Sequence, residues 1–285
     1  MKKILVTGGA GFIGTNLIKE LKNQDYDVVS IDNYSTGSID NHIKGVNYID
    51  SDIEGISKIS KSEFDLCFHL AAQSRVQPSF DDPEESIRVN INGTMKVMEW
   101  AKKYNVKVIY AGSSSKHHDP SDSPYAMTKF LGEEICKLYK KSFNVNVEIS
   151  RFYNVYGPNE PLDEKFGNVI GIWREKVRLK KPLTIVGNGN QKRDFTHVED
   201  IVNGIVKIAF SDSKHSDGWE LGSGINYSIN ELFNIFKKRF NVTSVNIDDQ
   251  PGNYRKTLRI NDDVIKELDW KPQDRLKDYI NSLNL

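Results

Sequence analysis

Three serines, a tyrosine and a lysine fall within one short stretch, "AGSSSKHHDPSDSPYAMTKFLGEE", residues 111–134. Ser113, Ser114 and Ser115 precede Tyr125 and Lys129, which stand four apart. Ser123-Pro124 reads as a helix N-cap with proline at the first helical position. Tyr125 then sits in the first turn, and Lys129 one turn on along the same face. A phenol at its reference pKa of about 10 is a poor base. An adjacent ammonium and a helix N-terminus both favour the phenolate, so Tyr125 beside Lys129 could supply a general base near neutral pH. Taken alone, a Tyr-x-x-x-Lys pair is more often a solvated pair on an amphipathic helix. Its surroundings decide.

Those surroundings alternate. "KILVT" (3–7), "DVVSI" (27–31), "VNYI" (46–49), "DLCFHL" (65–70), "VKVIYA" (106–111) and "NVEIS" (146–150) read as strands. Their near-continuous apolar character suits strands buried on both faces of a parallel sheet. Residues 12–23, 83–104 and 124–142 read as the intervening helices. The alternation predicts an α/β fold with a doubly wound sheet. After Arg151 the rhythm breaks. A helix near 168–180, the strand "LTIV" (183–186) and two capping boxes, Thr196-x-x-Glu199 and Ser228-x-x-Glu231, predict a smaller α/β lobe over the sheet's C-terminal edge. The serine cluster follows the fifth strand and lies at that same edge.

A second motif shares the edge. "ILVTGGAGFIGTNL" is a strand, a glycine-rich turn and a helix start, with Gly8, Gly11 and Gly14 three apart. Glycines at such a turn let a pyrophosphate approach the backbone at a helix N-terminus. Asp32 ends the next strand, where a carboxylate accepts bonds from a ribose diol. No arginine follows it immediately, which favours NAD over NADP. Small Ala71 and Ala72 after the fourth strand, and Asp52-Ile53 after the third, point into the same crevice.

Composition excludes several classes. Lys plus Arg equals Asp plus Glu at 39 each over 285 residues, so no net charge draws the chain to nucleic acid or an anionic membrane. No apolar run approaches the roughly 20 residues that span a bilayer. The apolar run of "MKKILV" stops too early for a signal peptide. Cys67 and Cys136 both lie in apolar segments and read as buried thiols, which fits a reducing cytoplasm. His117 and His118 are close enough to suggest a metal, but no acid or cysteine cluster completes a site.

The stretches "TGGAGFIG", "HLAAQ", "VNINGT", "SPYAMTK", "RFYNVYGP" and "QKRDFTHVEDI" occur in an order that resembles the extended short-chain dehydrogenase/reductase family, in its nucleotide-sugar epimerase and dehydratase branch. The resemblance implies a Rossmann-type NAD-binding domain over 1–157, with 192–215 packing back on it, and a substrate-binding lobe formed mainly by 158–285. It implies that Gly8, Gly11, Phe12, Ile13, Gly14, Asp32, Asn33, Asp52, Ile53, Leu70, Ala71, Ala72, Asn90, Ser113, Tyr125, Lys129 and Phe152 line the NAD site. It implies Tyr125 as the base, Ser115 on the sugar hydroxyl and Lys129 on the nicotinamide ribose. Ser74, Asn154, Asn168, Val169 and Arg193 would hold the substrate, with Arg193 on a phosphate. A salt bridge to Asp194 is the plainer role for Arg193, and Thr196 and His197 read as helix cap and surface. Relatives also pair as homodimers through the 83–104 and 124–142 helices, where Met95, Met98, Ile135 and Leu138 could form the face or simply pack on the sheet.

Within that branch the shared step is oxidation at C4 of the sugar. Dehydratases carry an Asp-Glu pair after the position of Ser115; here it is Lys116-His117. A lysine cannot replace a neutral carboxylic acid, so 4-epimerisation of a UDP-sugar is the leading expectation; the alternatives are another nucleotide-sugar-modifying enzyme of the branch, an oxidoreductase or dehydratase, and a NAD-binding regulator without catalysis. Two departures stand out. The segment "KHHDPSDSP" is shorter than its counterparts, which predicts a more open sugar pocket able to admit a C2 N-acetyl group. The usual Arg-x-Gly-Asp reads Gln250-Pro251-Gly252-Asn253, so a fixed charge is missing; Arg255, Lys256 or Arg259 could replace it.

Overall fold

The computed structural model describes residues 2–59 and 64–285. The apolar runs form β1 (Lys3–Thr7), β2 (Asp27–Asp32), β3 (Asn47–Asp50) and β4 (Leu66–His69), with α1 (Phe12–Asn23) between the first two. Two short helices, α2 (Val76–Asp81) and α3 (Pro83–Ile87), lead into α4 (Thr94–Tyr104); β5 (Lys107–Ser113), α5 (Pro124–Phe143) and β6 (Val147–Phe152) follow.

The expected single helix over 83–104 is interrupted. Residues Arg88–Gly93 form a π-helical stretch between α3 and α4. One extra residue per turn there turns Asn90 inward, where it bonds Gln73 N and O (2.8 and 3.0 Å) and Thr128 Oγ1 (3.0 Å).

Downstream lie β7 (Val155–Tyr156), α6 (Val169–Arg178), β8 (Leu183–Val186), β9 (Lys192–Asp194), β10 (Thr196–His197) and α7 (Val198–Phe210). Then come β11 (Trp219–Leu221), β12 (Asn226–Ser228), α8 (Ile229–Phe240), β13 (Ser244–Ile247), α9 (Asp263–Leu268) and α10 (Leu276–Ser282).

Seven strands make the main sheet in the order β11-β6-β5-β4-β1-β2-β3. All its pairings are parallel. The winding direction reverses between β1 and β4, and that reversal opens a crevice beyond the strands' carboxyl ends. Helices cover both faces. One face buries Val97, Met98, Ala101 and Cys136 against Leu5, Cys67 and Val108. The other buries Leu17, Ile18 and Leu21 of α1 with Ile201, Ile205 and Ile208 of α7. So α7, although it follows the first excursion into the smaller lobe, lies on the main sheet, and β11 extends that sheet. A separate core of Trp173, Leu183, Leu232, Phe236 and Ile280 holds the smaller lobe together.

At the opposite, amino-terminal edge of the sheet the chain turns tightly. Asp25, Asn105 and Asn144 enter β2, β5 and β6 from left-handed conformations, with φ of 59°, 55° and 55°.

Two local expectations are corrected. Thr196 does not cap α7: it lies in β10, and its hydroxyl donates to Asp194 Oδ1 at 3.2 Å. His197 is the cap, its ring accepting from Glu199 N, and it is buried rather than on the surface. The Ser228–Glu231 box has both of its bonds. Met98 is fully buried on the sheet, so it cannot belong to an outward helix face; Met95 and Leu138 are exposed.

Candidate active site

A cavity of about 780 Å³ runs along the carboxyl edge of the sheet, between it and the smaller lobe. Its floor at one end is the β1–α1 turn. Gly8 has φ +73°, and a Cβ there would meet Ala71 N at 2.8 Å. A Cβ on Gly14 would lie 2.1 Å from Gly8 O. The turn is thus closed to any side chain, while the N-cap of α1, Gly11, carries no side-chain bond and leaves the helix amides open to an anion. Asp32 Oδ2 accepts from Ala10 N and Oδ1 from Tyr34 N, both at 2.8 Å. Each oxygen keeps lone pairs for a diol. Asp52 is gripped by Arg88 at 3.0 and 2.9 Å and by Asn33 at 3.2 Å, and the Arg88 bonds hold its carboxyl below the usual range.

At the other end β5 delivers the serines. Ser113 Oγ is the hub: Tyr125 Oη bonds it at 3.1 Å and Ser115 Oγ at 2.9 Å. Ser123 caps α5 by accepting from Ala126 N, with Pro124 in the first turn. This fixes the face that carries Tyr125 and Lys129. Lys129 Nζ donates to Ala111 O at 2.5 Å and lies 4.8 Å over the Tyr110 ring. Burial pulls its ammonium down to about 8. Burial pushes the Tyr125 phenol up, opposed by the Ser113 bond and by the charge of Arg75. In the protein alone, therefore, the phenol is not yet a base near neutrality. The positive neighbour that counts against burial is Arg75.

Most of the residues expected at the two sites line this one cavity: Gly8, Gly11, Phe12, Ile13, Gly14, Asp32, Asn33, Asp52 and Ile53 at one end. Leu70, Ala71, Ala72, Ser74 and Phe152 lie between, and Ser113, Ser115, Tyr125, Lys129, Asn154, Val169 and Arg193 line the rest. Asn90 and Asn168 do not line it. Asn90 holds the Gln73 backbone, as described above. Asn168 caps α6, accepting from Gly171 N at 2.7 Å and donating to Val155 O and Glu160. Asn154 lines the cavity at φ +30°, with its amide on Asp194 O and Thr257 Oγ1. Arg193 makes no ion pair with Asp194. It donates to Tyr254 O (2.6 Å) and Asn253 Oδ1 (2.6 Å), and Asp194 instead receives Ser223, Gly224 and Arg259 amides.

A model of the NAD dependent epimerase/dehydratase family matches residues 4–222. The chain belongs to that family. It is 32% identical to a putative UDP-glucose 4-epimerase of Methanocaldococcus jannaschii over 97% of this chain and 95% of that one. It is 27% identical to UDP-glucuronic acid decarboxylase 1 of Arabidopsis thaliana, over 97% of this chain and 67% of that protein. The structure of a Bacillus cereus UDP-glucuronic acid 4-epimerase, with UDP-glucuronic acid and NAD, superposes with a TM-score of 0.90 at 29% identity, covering 98% and 97% of the two chains.

The family's cofactor is NAD, and the glycine cradle, the open α1 N-terminus and the Asp32 carboxylate fit it. The two residues that follow Ser115, Lys116 and His117, turn away from the cavity. Lys116 Nζ reaches Glu134 at 3.0 Å over the Phe130 ring, and His117 Nε2 reaches buried Glu220 at 3.0 Å. Glu220 also takes Arg151 (2.8 Å) and Tyr153 (2.6 Å), and Arg151 in turn holds Glu133. The turn that carries Ser115 hangs on this buried network.

The segment after it packs against a distant part of the chain. His118 stacks on Tyr254 with ring centroids 3.8 Å apart, so the strap over 250–257 forms part of the wall. None of the three proposed substitutes for the missing arginine lines the cavity. Arg259 serves Gly222 O and Asp262, Arg255 is 80% exposed, and Lys256 faces a separate shallow pocket. Arg75, Gln73, Tyr254 and Thr257 line the cavity without having been singled out in the sequence. Arg75 stands in "HLAAQSR", directly after a parallel strand; its type and place were the available signal.

Proposed function

We propose that the chain is an NAD-dependent nucleoside-diphosphate-sugar 4-epimerase acting on a UDP-sugar. One observation carries the choice within the family: the acids lining the cavity are Asp32 and Asp52 at the far end and Glu164, which pairs with Lys176 at 3.0 Å. Among the described residues no carboxyl group lines the cavity beside Tyr125 and Ser115 to protonate a leaving hydroxyl, which 4,6-dehydration requires. Bound NAD+ supplies a reversible hydride acceptor and a positive charge. Ser115 holds the C4 hydroxyl, Tyr125 takes its proton and later returns it, and the charge of Arg75 favours the phenolate in between. The sugar turns over in the cavity as a 4-keto species, so its opposite face is presented when the C–H bond is remade. The exposed Met95, Leu131 and Leu138 on α4 and α5 support a homodimer through those helices.

Incubation with UDP-glucose, UDP-N-acetylglucosamine and UDP-glucuronate, followed by chromatography, tests the reading. The expected outcome is interconversion of one C4 pair with no steady change in reduced-nicotinamide absorbance, abolished by Tyr125→Phe. Net NADH accumulation or a dehydrated product refutes it. Decarboxylation is the second reading, motivated by the plant relative; release of CO2 from UDP-glucuronate would establish it.

A further inference from the structure

Arg75 opens α2 on the loop leaving β4 and lines the cavity together with Tyr125. Its Nε donates to Phe166 O at 2.7 Å. That bond sets the plane of the guanidinium. It leaves both η nitrogens without a protein acceptor among the described residues. No carboxylate among the described residues pairs with it. Glu160 and Asp163 act on it only at longer range. Glu160 is occupied by Arg174 and Asn168, and Asp163 by the amides of Lys165 and Phe166. A part-buried guanidinium that opens into a cavity without a counter-ion is a ready receptor for an anionic group of a ligand.

Arg193, the other arginine of the cavity, is tied into the strap through Tyr254 and Asn253 and also lacks a carboxylate. The cavity therefore offers two unneutralised forks. One sits with the strap. The other opens α2, whose Ser79 Oγ accepts from Tyr125 N at 3.0 Å, at the end of the cavity that holds the reacting phenol. A nucleoside diphosphate uses the first. The second needs an anion close to the carbon that is oxidised.

We infer that Arg75 receives a carboxylate on the sugar ring, and that the substrate is a nucleoside-diphosphate sugar acid rather than a neutral hexose. This deepens the epimerase reading and rests on it. The planar fork suits a carboxylate. It also protects the reaction. A 4-keto uronate is a β-keto acid: its C5–C6 bond can break, with the electron pair moving toward the C4 oxygen and CO2 leaving. A guanidinium gripping the carboxylate stabilises the charge that would be lost, and so keeps the chemistry at C4.

The test is calorimetric binding of UDP, UDP-glucose and UDP-glucuronate to the NAD-loaded protein, to Arg75→Gln and to Arg75→Lys. The wild type is expected to bind UDP-glucuronate at least about tenfold more tightly than UDP-glucose. Arg75→Gln removes that preference and leaves UDP and UDP-glucose within about threefold; Arg75→Lys, which keeps the charge but not the fork, is intermediate. The inference is overturned if the wild type shows no preference for the acid. It is equally overturned if Arg75→Gln weakens UDP as much as UDP-glucuronate, which would assign the guanidinium to the diphosphate. Should Arg75→Gln fail to fold, the wild-type preference and the lysine variant decide. Binding judges Arg75, and appearance of the C4 epimer judges the epimerase reading, so each can fail without the other.

Discussion

Lys129 lets the electrostatics of the site be weighed by stability. Its ammonium is buried, donates to Ala111 O at 2.5 Å and titrates near 8 in the folded protein. In the unfolded chain a lysine titrates near 10.4. Between those values the unfolded state binds more protons than the folded one, so stability rises with pH across that window. The gap of roughly 2.4 units at about 1.4 kcal/mol each amounts to about 3 kcal/mol. Below pH 8 both states are charged, and above 10.4 both are neutral, so the contribution is flat outside the window.

The experiment compares wild type with Lys129→Met by urea unfolding of the cofactor-free protein at intervals from pH 7 to 11. Other groups contribute to both proteins and cancel in the difference. Wild type should gain about 3 kcal/mol on the variant between pH 8 and 10.4. A flat difference would show that the ammonium is solvated as in water. A falling one would show that an anion holds it charged. Either result refutes the account of this buried lysine.

Two further outcomes are expected. Gly14→Ala places a Cβ 2.1 Å from Gly8 O and 2.7 Å from Gly9 Cα, both backbone. The turn must open, with a cost of about 1–3 kcal/mol; the protein should purify without bound nucleotide, visible as a fall in its absorbance at 260 nm relative to 280 nm. Arg151→Met strands Glu133, which is 1% exposed, and leaves Glu220, 0% exposed, with only His117 and Tyr153. It should cost about 3–5 kcal/mol in urea unfolding, while replacing Arg151, Glu133 and Glu220 together by apolar residues of similar size should recover most of that loss.

Much of the chain's plan was legible because it is local. An apolar run of five residues, a glycine at every third position, and a Ser-Pro before Tyr125 each act through the backbone around them. What was not legible depends on distant partners. The 83–104 pattern gives no sign of the π-helical stretch, because Asn90 turns inward to reach Gln73 and Thr128. Thr196 has the spacing of a cap, but strand pairing with Val155 claims it first. Met98 and Met95 differ by one turn in sequence and entirely in burial. At the site, the identities of Lys116 and His117 could be read, but not that both point away from the cavity. Arg75 was visible as an arginine; that nothing neutralises it is a sum over the whole cavity.

The left-handed turns at Asp25, Asn105 and Asn144 lie at the edge of the sheet opposite the cavity. A parallel sheet thereby separates its two rims. One rim carries the groups that face cofactor and sugar; the other merely reverses the chain. Insertions, tags or a linker to a surface belong at the second rim, with the strands relaying no change to the first. Variation among natural sequences should be freest in these turns, with only the left-handed backbone constraining which residue fills them.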